Sequence, residues 1–319
     1  MPPGRCPQTL AVLGQGDDMR IYTWQGPEGN VGDALNAWMW PKVFGCQHFT
    51  SRSRDQFIGI GSILDERHAG PGRKLVFGAG ARGPDTLPDV SGSDWDVAFV
   101  RGPNTAAALG RRDIDWISDP AIIVPLLEGE HREIEPSLLP AGNRLRVGFV
   151  PYFATHRTFA ESIANAAGLV LIPPTLDPDR FLARLLTCDV IIAEAMHGAI
   201  LADAFGIPWM ACRISSARRE GATHAFKWTD WGKSLDLDIE FVDLPYLGHR
   251  SGLHFPLDVL IAGYVQKCGR MLRRMVRNGD WQLSDRTILE ARQRSILLAV
   301  DDTRKRLLQS PEPTIAVQV

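Results

Sequence analysis

Short apolar runs alternate with amphipathic stretches along most of the chain, and this pattern predicts a series of strands and helices. The predicted strands are residues 19–24, 57–60, 74–77, 95–100, 145–150, 169–172, 190–193 and 209–214. The predicted intervening helices are residues 33–40, 103–110, 158–167 and 178–187, and a short one at His197. Repeated strand–helix–strand units indicate parallel sheets covered by helices, so we predict an α/β protein with two such halves and a cleft between them.

Prolines, glycines and cap residues mark the ends of several predicted helices. Pro41 is expected to end or kink the first helix, because proline lacks the amide hydrogen that a helix interior requires. Asp177 followed by Pro178 predicts a helix start. Gly168 and Gly206 predict two helix ends, because glycine accepts the left-handed conformation found there.

The Pro- and Glu-rich segment 111–143 predicts an irregular connection between two domains. We place the N-terminal domain at residues 1–140 and the C-terminal domain at residues 141–319. Two amphipathic helices, residues 257–277 and 284–308, close the chain. Their apolar spacing favours core packing over binding of a partner, and they could pack back on the N-terminal domain.

Charge and composition exclude several classes of function. The 319 residues include 35 Lys and Arg against 37 Asp and Glu, so no overall basic field favours nucleic acid as a partner. The five cysteines are scattered without a CxxC pair, which predicts reduced thiols and no metal site. No run approaches the roughly 20 apolar residues that span a bilayer. A cytoplasmic protein is therefore expected.

Residues 189–209 carry the clearest chemical signal. They predict a strand, a short loop and a helix, with Glu194, His197 and Gly198 at the junction. The N–H groups and partial positive charge at a helix N-terminus attract anions, and an imidazole beside them can transfer protons. Two other interpretations remain open: His197 could satisfy only a local hydrogen bond, and Glu194 could be a surface carboxylate.

Several cations follow strands on the predicted cleft side, where a dianionic ligand would need two or three donors. They are Arg82, Arg101, Arg157, Arg213 and Lys227. Arg101 is the strongest candidate, because it ends a strand and opens the turn Gly102-Pro103.

Residues 78–83 (GAGARG) match the dinucleotide fingerprint GxGxxG after a predicted strand. No clear helix follows them, and no acidic residue closes a second strand at the required distance. We therefore disfavour a nicotinamide or flavin cofactor.

Three segments resemble the polysaccharide pyruvyl transferase family, in particular the exopolysaccharide ketal-pyruvate transferases of succinoglycan and xanthan type. These are residues 30–36 (NVGDALN), 100–106 (VRGPNTA) and 194–208 (EAMHGAILADAFGIP), and residues 224–231 (HAFKWTDW) match more loosely. The His-Gly segment is the specific one. The turn at residues 59–61 departs from the glycine triplet expected of the family.

The resemblance implies a GT-B-like pair of Rossmann-type domains with parallel sheets facing a cleft. It implies transfer of pyruvate from phosphoenolpyruvate to two hydroxyls of a sugar, which forms a cyclic ketal and releases phosphate, without a metal or other cofactor. The implied acceptor is a lipid-linked oligosaccharide at the inner membrane, so the protein would be cytoplasmic or peripheral at that membrane face.

The same resemblance suggests roles for individual residues. His197 would be the general acid or a phosphate ligand, and Glu194 would orient it. The phosphoenolpyruvate-binding candidates are Gly198, Arg82, Arg101, Arg213 and Lys227. The acceptor-binding candidates are Asp33, Asn36, His224 and Trp228.

Two alternatives remain at this stage. A GT-B glycosyltransferase that uses a nucleotide sugar would share the fold, although no clear ribose-binding carboxylate stands late in the second half. A non-catalytic carbohydrate-binding protein would need no anion site, which His197 and the cleft arginines argue against.

Overall fold

The computed structural model describes residues 18–24, 26, 29–127, 145–245 and 257–309. Four parallel strands in its first half are β1 (Arg20–Ile21), β2 (Gln56–Ile58), β3 (Lys74–Phe77) and β4 (Trp95–Phe99). They form one sheet in the order β1-β2-β3-β4. Strands β2 and β3 are buried along their whole length, because helices or loops cover both faces of the sheet.

A second parallel sheet is built from the other half of the described chain. Its strands are β5 (Val147–Val150), β6 (Val170–Leu171), β7 (Val190–Ala193), β8 (Trp209–Arg213) and β9 (Phe241–Asp243). Their order is β6-β5-β7-β8-β9, so β5, β7 and β8 lie inside the sheet. The prediction of an α/β protein with two parallel sheets is confirmed, and β9 is an edge strand that the pattern missed.

Helices connect and cover these strands. They are α1 (Val31–Phe44), α2 (Pro103–Ala108), α3 (Val124–Leu127), α4 (Arg157–Ala167), α5 (Pro178–Leu185), α6 (Met196–Ala204), α7 (Ser216–Glu220), α8 (Ala222–Ser234), α9 (Leu257–Asn278) and α10 (Arg286–Gln309). Short 3-10 helices lie at Cys46–His48, Glu66–His68, Pro84–Thr86 and Pro120–Ile123. Within the described ranges, no helix is long and apolar enough to cross a membrane.

The predicted helix ends are largely confirmed, and Pro41 is the exception. Asp177 caps α5 through its side chain, and Gly168 and Gly206 both adopt a φ of 72° after their helices. Helix α1 instead continues through Pro41 to Phe44. Because Pro41 has no N–H, the carbonyl of Ala37 lacks its helical hydrogen bond. Ala37 is exposed, so water can bond to this carbonyl instead.

Residues 111–119 lack helix and strand, as predicted for the irregular connection 111–143, but the prediction is wrong for residues 120–127. Pro120–Ile123 forms a buried 3-10 helix that leads directly into α3. The sequence Asp119-Pro120 explains this start, because the Asp119 side chain accepts a hydrogen bond from the Ala121 N–H at 3.0 Å. The predicted domain boundary at residue 140 lies outside the described residues.

Contacts join the two halves at several points. A single apolar cluster includes Phe57 and Phe77 from the first sheet and Ile191 from the second. Helix α10 reaches back to the first half, where the Gln293 side chain donates to the Ile122 carbonyl at 2.8 Å. The residues that line the site are therefore held in one connected framework.

Candidate functional site

A cavity of about 220 Å³ lies where the carboxyl ends of strands from both sheets meet. Trp24, Ser62 and Arg82 enter it after β1, β2 and β3, and Tyr152 and His197 enter after β5 and β7. Parallel sheets bind ligands at this end, because the connecting loops there are free to carry polar groups. The cavity is therefore the candidate site.

The N-terminus of α6 opens into this cavity. Ala195 is its N-cap and provides no side-chain cap, and Ala195, Met196 and His197 all line the cavity. Among the described residues, no acceptor bonds the N–H groups of Met196 and His197. Two free donors and the positive end of the helix dipole suit an anion at this position.

His197 faces a buried carboxylate that the sequence pattern did not indicate. Its Nε2 lies 3.6 Å from Oδ2 of Asp119, and the Asp119 side chain has no exposed surface. Burial alone raises the pKa of Asp119, but the His197 ring and, more weakly, Arg101 hold it below its ordinary value. An ionised Asp119 therefore places a buried negative charge beside the His197 ring.

The first turn of α1 closes the opposite side of His197. A Cβ on Gly32 would lie 2.1 Å from His197 Nδ1, so only glycine allows this close approach. Asp33 is the next residue and lines the cavity. Burial raises the pKa of Asp33, and His197, Asn30, Arg67 and Lys227 oppose that rise.

The structure does not support the expected orienting role of Glu194. Its Oε1 accepts the backbone N–H groups of Ile214, Ser215 and Ser216, and its Oε2 accepts that of Tyr152 at 3.0 Å. These bonds occupy both oxygens of a fully buried carboxylate and link the ends of β5, β7 and β8. The carboxylate that faces His197 is Asp119.

Arg101 is also placed differently from the expectation. Its side chain has no exposed surface and does not line the cavity. It pairs with Asp230 at 3.0 Å and donates to the Ser62 hydroxyl at 2.8 Å, just behind the cavity wall. Arg101 thus supports Ser62 and joins the two halves, rather than contacting a ligand in this conformation.

Two further donor candidates lie away from the cavity. Arg213 makes a bidentate pair with Asp243 at 2.7 and 2.9 Å, on the edge strand β9. The Gly198 N–H donates to the Ala195 carbonyl at 2.9 Å, and a Cβ on Gly198 would lie 2.8 Å from Val150. Gly198 therefore allows close packing of α6, and the free N–H groups belong to the two residues before it.

Arg82 and Lys227 do line the cavity, as expected. Arg82 is exposed, whereas Lys227 is largely buried and pairs with Glu220 at 2.6 Å. Burial lowers the pKa of Lys227, while Glu220 opposes that shift. Burial and Glu220 also raise the pKa of Tyr152, so this wall carries a phenol, a carboxylate and a cation in contact.

Three of the four acceptor candidates are structural in this conformation. Asn36 is fully buried and bonds both the N–H and the carbonyl of Ile60, at 2.7 and 2.8 Å. His224 and Trp228 are buried with Phe241 in an aromatic cluster that does not reach the cavity. Burial lowers the pKa of His224 to about 4. Of the four candidates, Asp33 is the one that lines the cavity.

Sequence reasoning missed several lining residues. They are Trp24, Arg67, Tyr152, Phe153 and Glu220. Most of them follow a strand, which was the available signal. Within the described ranges, no three His, Cys, Asp or Glu side chains come together in a way that could hold a metal ion.

Comparison with known proteins gives two matches and one negative result. The family described as polysaccharide pyruvyl transferase matches residues 55–216. The succinoglycan biosynthesis protein ExoV of Rhizobium meliloti (strain 1021) is 34% identical over 223 residues. That alignment covers 68% of this chain and 65% of the relative, so the chain spans about two thirds of that protein's length. No solved structure matches significantly.

Proposed function

Because the chain belongs to the polysaccharide pyruvyl transferase family, we propose that it transfers pyruvate from phosphoenolpyruvate to two hydroxyls of a sugar in an exopolysaccharide repeat unit. The product is a cyclic ketal, and phosphate is released. The observation that carries the proposal is the cavity in which two free helix N–H groups meet His197 and its buried partner Asp119.

The donor fits the end of the cavity formed by α6. Phosphoenolpyruvate carries a phosphate and a carboxylate on neighbouring atoms. The Met196 and His197 N–H groups receive one anionic group, and the His197 ring adds a further hydrogen bond. Arg82, exposed at the cavity wall, supplies a cation for the other anionic group.

The acceptor fits the aromatic wall. The Trp24 and Phe153 rings meet edge to face, with their centroids 5.8 Å apart. The centroids of the Tyr152 and Phe153 rings are 4.5 Å apart. All three line the cavity. Aromatic faces pack against the C–H groups of a sugar ring, while the nearby Glu220 can accept hydrogen bonds from hydroxyl groups.

The reaction needs proton transfer, which this site can provide. Protonation of the methylene carbon leaves positive charge on the carbon that bears phosphate, where a sugar hydroxyl then attacks. Phosphate departs, and the second hydroxyl closes the ring. His197 binds the phosphate and donates a proton, because its ring lines the cavity beside the free N–H groups and a buried carboxylate.

We further propose a GT-B-like arrangement for the two halves and a lipid-linked oligosaccharide as the acceptor. The two parallel sheets with a cavity at their carboxyl ends support the first part. The name of the ExoV relative, a succinoglycan biosynthesis protein, supports an acceptor from exopolysaccharide synthesis. A protein acting on such a lipid would work at the inner membrane face without a cofactor.

Proton NMR tests the proposal directly. The protein is incubated with phosphoenolpyruvate and a panel of hexosides that include methyl glucoside and methyl galactoside. A new ketal methyl singlet together with an equal amount of free phosphate is expected for an accepted sugar. Sugar transfer from UDP-glucose, with no phosphoenolpyruvate consumed, would contradict the proposal and favour a glycosyltransferase.

A further inference from the structure

The proposed reaction delivers protons to two different atoms in one cavity. The methylene carbon gains one proton, and the departing phosphate gains another at its bridging oxygen. Two sugar hydroxyls each lose one, so the overall reaction is balanced. The methylene carbon and the bridging oxygen point in different directions from the central carbon, so two side chains on different walls of the cavity can serve them without moving.

His197 belongs to the phosphate end of this arrangement. It stands in the first turn of α6 beside the free N–H groups, and its Nε2 faces Asp119. An imidazole beside a buried carboxylate and the free N–H groups of a helix N-terminus is suited to a phosphate oxygen. A group on another wall of the cavity can then serve the methylene carbon.

Asp33 lies on that other wall, close to His197. Gly32 packs directly against His197 Nδ1, and this contact brings the first turn of α1 against the first turn of α6. One oxygen of Asp33, Oδ2, accepts a hydrogen bond from the Asn30 side chain. The other, Oδ1, has no hydrogen bond among the described residues and lies beside Gly61, which also lines the cavity.

We propose, resting on the proposed function, that Asp33 is the catalytic acid that protonates the methylene carbon, while His197 serves the phosphate. Asp33 gives its proton to that carbon as the first hydroxyl bonds to the central carbon. Asp33 then takes back a proton from one sugar hydroxyl. His197 gives its proton to the bridging oxygen as the carbon–oxygen bond breaks, and recovers one from the other hydroxyl.

The surroundings of Asp33 favour a group that keeps its proton. Burial is the largest influence and raises its pKa. The groups that face it are His197 from α6, Lys227 from α8, Arg67 from the 3-10 helix after β2, Asn30 at the cap of α1 and Tyr22 after β1. Their net effect does not overcome burial, so Asp33 is protonated over a wider pH range than an exposed aspartate.

The test compares Asp33→Asn with His197→Ala and with the exposed control Asp115→Asn. Two quantities are measured for each: phosphoenolpyruvate binding by thermal stabilisation, and ketal formation with the hexoside that the wild type accepts. Asp33→Asn should bind phosphoenolpyruvate at least as tightly as the wild type, because a potential negative charge is gone. Its kcat should fall by about 10²–10⁴-fold. His197→Ala should lose both phosphoenolpyruvate binding and ketal formation.

The pH profile and a conservative variant provide a second readout. Wild-type kcat should fall as pH rises through the raised pKa of Asp33, because the acid form disappears. Asp33→Glu should recover part of the activity of Asp33→Asn. In D2O, each wild-type turnover should leave one deuterium in the ketal methyl group.

Three outcomes would overturn the assignment. One is a kcat of the Asp33→Asn variant that lies within tenfold of the wild-type kcat. Another is the loss of phosphoenolpyruvate binding in an Asp33→Asn variant that folds normally, which would make Asp33 a donor-binding residue. The third is a wild type that binds phosphoenolpyruvate and forms no ketal with any hexoside, and this result would remove the proposed function as well.

Discussion

At the scale of single residues, the environment of the His197 ring is set by the buried carboxylate of Asp119. The carboxylate has no exposed surface, one oxygen is bonded to a backbone N–H, and the other lies 3.6 Å from the ring. The ring also keeps Asp119 ionised by holding its pKa below the ordinary value against the effect of burial. The negative charge of Asp119 therefore depends on the ring beside it.

Replacing Asp119 with Asn tests this pairing. The variant keeps the shape and the acceptor for the Ala121 N–H, but it removes the negative charge beside the His197 ring. Turnover should fall by about 10²-fold or more, and phosphoenolpyruvate should bind more weakly. Steady-state kinetics at saturating acceptor measure both. Unchanged kinetics in a variant of normal melting temperature would show that Asp119 only caps a helix.

Sequence alone placed His197 at the junction of a buried strand and a helix because that signal is local. A buried strand followed by a helix start is visible in consecutive residues. Asp119 and the partners of Arg101 and Glu194 were not visible, because each pair joins segments far apart in the chain. A strand-end arginine looks the same in sequence whether it faces a ligand or a buried aspartate.

At the scale of elements, the site depends on how closely α1 approaches α6. Residue spacing predicted both helices but not their contact, which a glycine makes possible. A Cβ at position 32 would lie 2.1 Å from the His197 ring, and that ring is mostly enclosed. The α1–α6 contact therefore sets where the imidazole stands.

Gly32→Ala should displace the ring and reduce turnover at least tenfold, together with the stabilisation by phosphoenolpyruvate. The matched control is Gly263→Ala on the exposed surface of α9, where a new Cβ meets nothing within 4 Å. That control should leave kinetics unchanged and gain about 0.5–1 kcal/mol of stability. Kinetics and thermal melts distinguish the two, and equal behaviour of both variants would argue against the α1–α6 contact.

The packing of α8 on β9 should make stability depend on pH. His224 lies between Trp228 and Phe241, and burial lowers its pKa to about 4. Between pH 6.5 and 4 the unfolded chain therefore binds more protons than the folded one, so stability falls as pH falls. This one residue should account for about 1–2 kcal/mol of loss between pH 7 and 5.

His224→Phe should flatten that dependence, whereas His156→Gln, at an exposed position, should not. Urea unfolding at pH 7 and pH 5 gives the free energies for the wild type and both variants. An unchanged pH slope in His224→Phe would show that other groups cause the acid sensitivity.

At the scale of the whole molecule, a buried ion pair links the two halves of the protein. Arg101 and Asp230 both have no exposed side-chain surface, and Asp230 also accepts the Thr105 N–H and hydroxyl at 2.9 and 2.7 Å. A Cβ on Gly102 would lie 2.1 Å from the Asp230 carbonyl oxygen, so the backbones are in contact. The halves should therefore unfold together.

Asp230→Ala should cost about 3–5 kcal/mol, because it leaves a buried guanidinium without its charge partner. Chemical denaturation followed by tryptophan fluorescence and by circular dichroism should give one coincident transition for the wild type. The variant should show a lower midpoint. Two separate wild-type transitions, or a variant as stable as the wild type, would contradict this view of the interface.

The central claim is that the His197 end of the cavity binds phosphoenolpyruvate, and thermal unfolding with added ligand measures it most directly. At a concentration 100 times the Kd, binding adds about 2.7 kcal/mol to wild-type stability, so the melting temperature should rise by several degrees. His197→Ala should show no such rise, and UDP-glucose should stabilise neither protein. Stabilisation of the wild type by UDP-glucose but not by phosphoenolpyruvate would contradict the account.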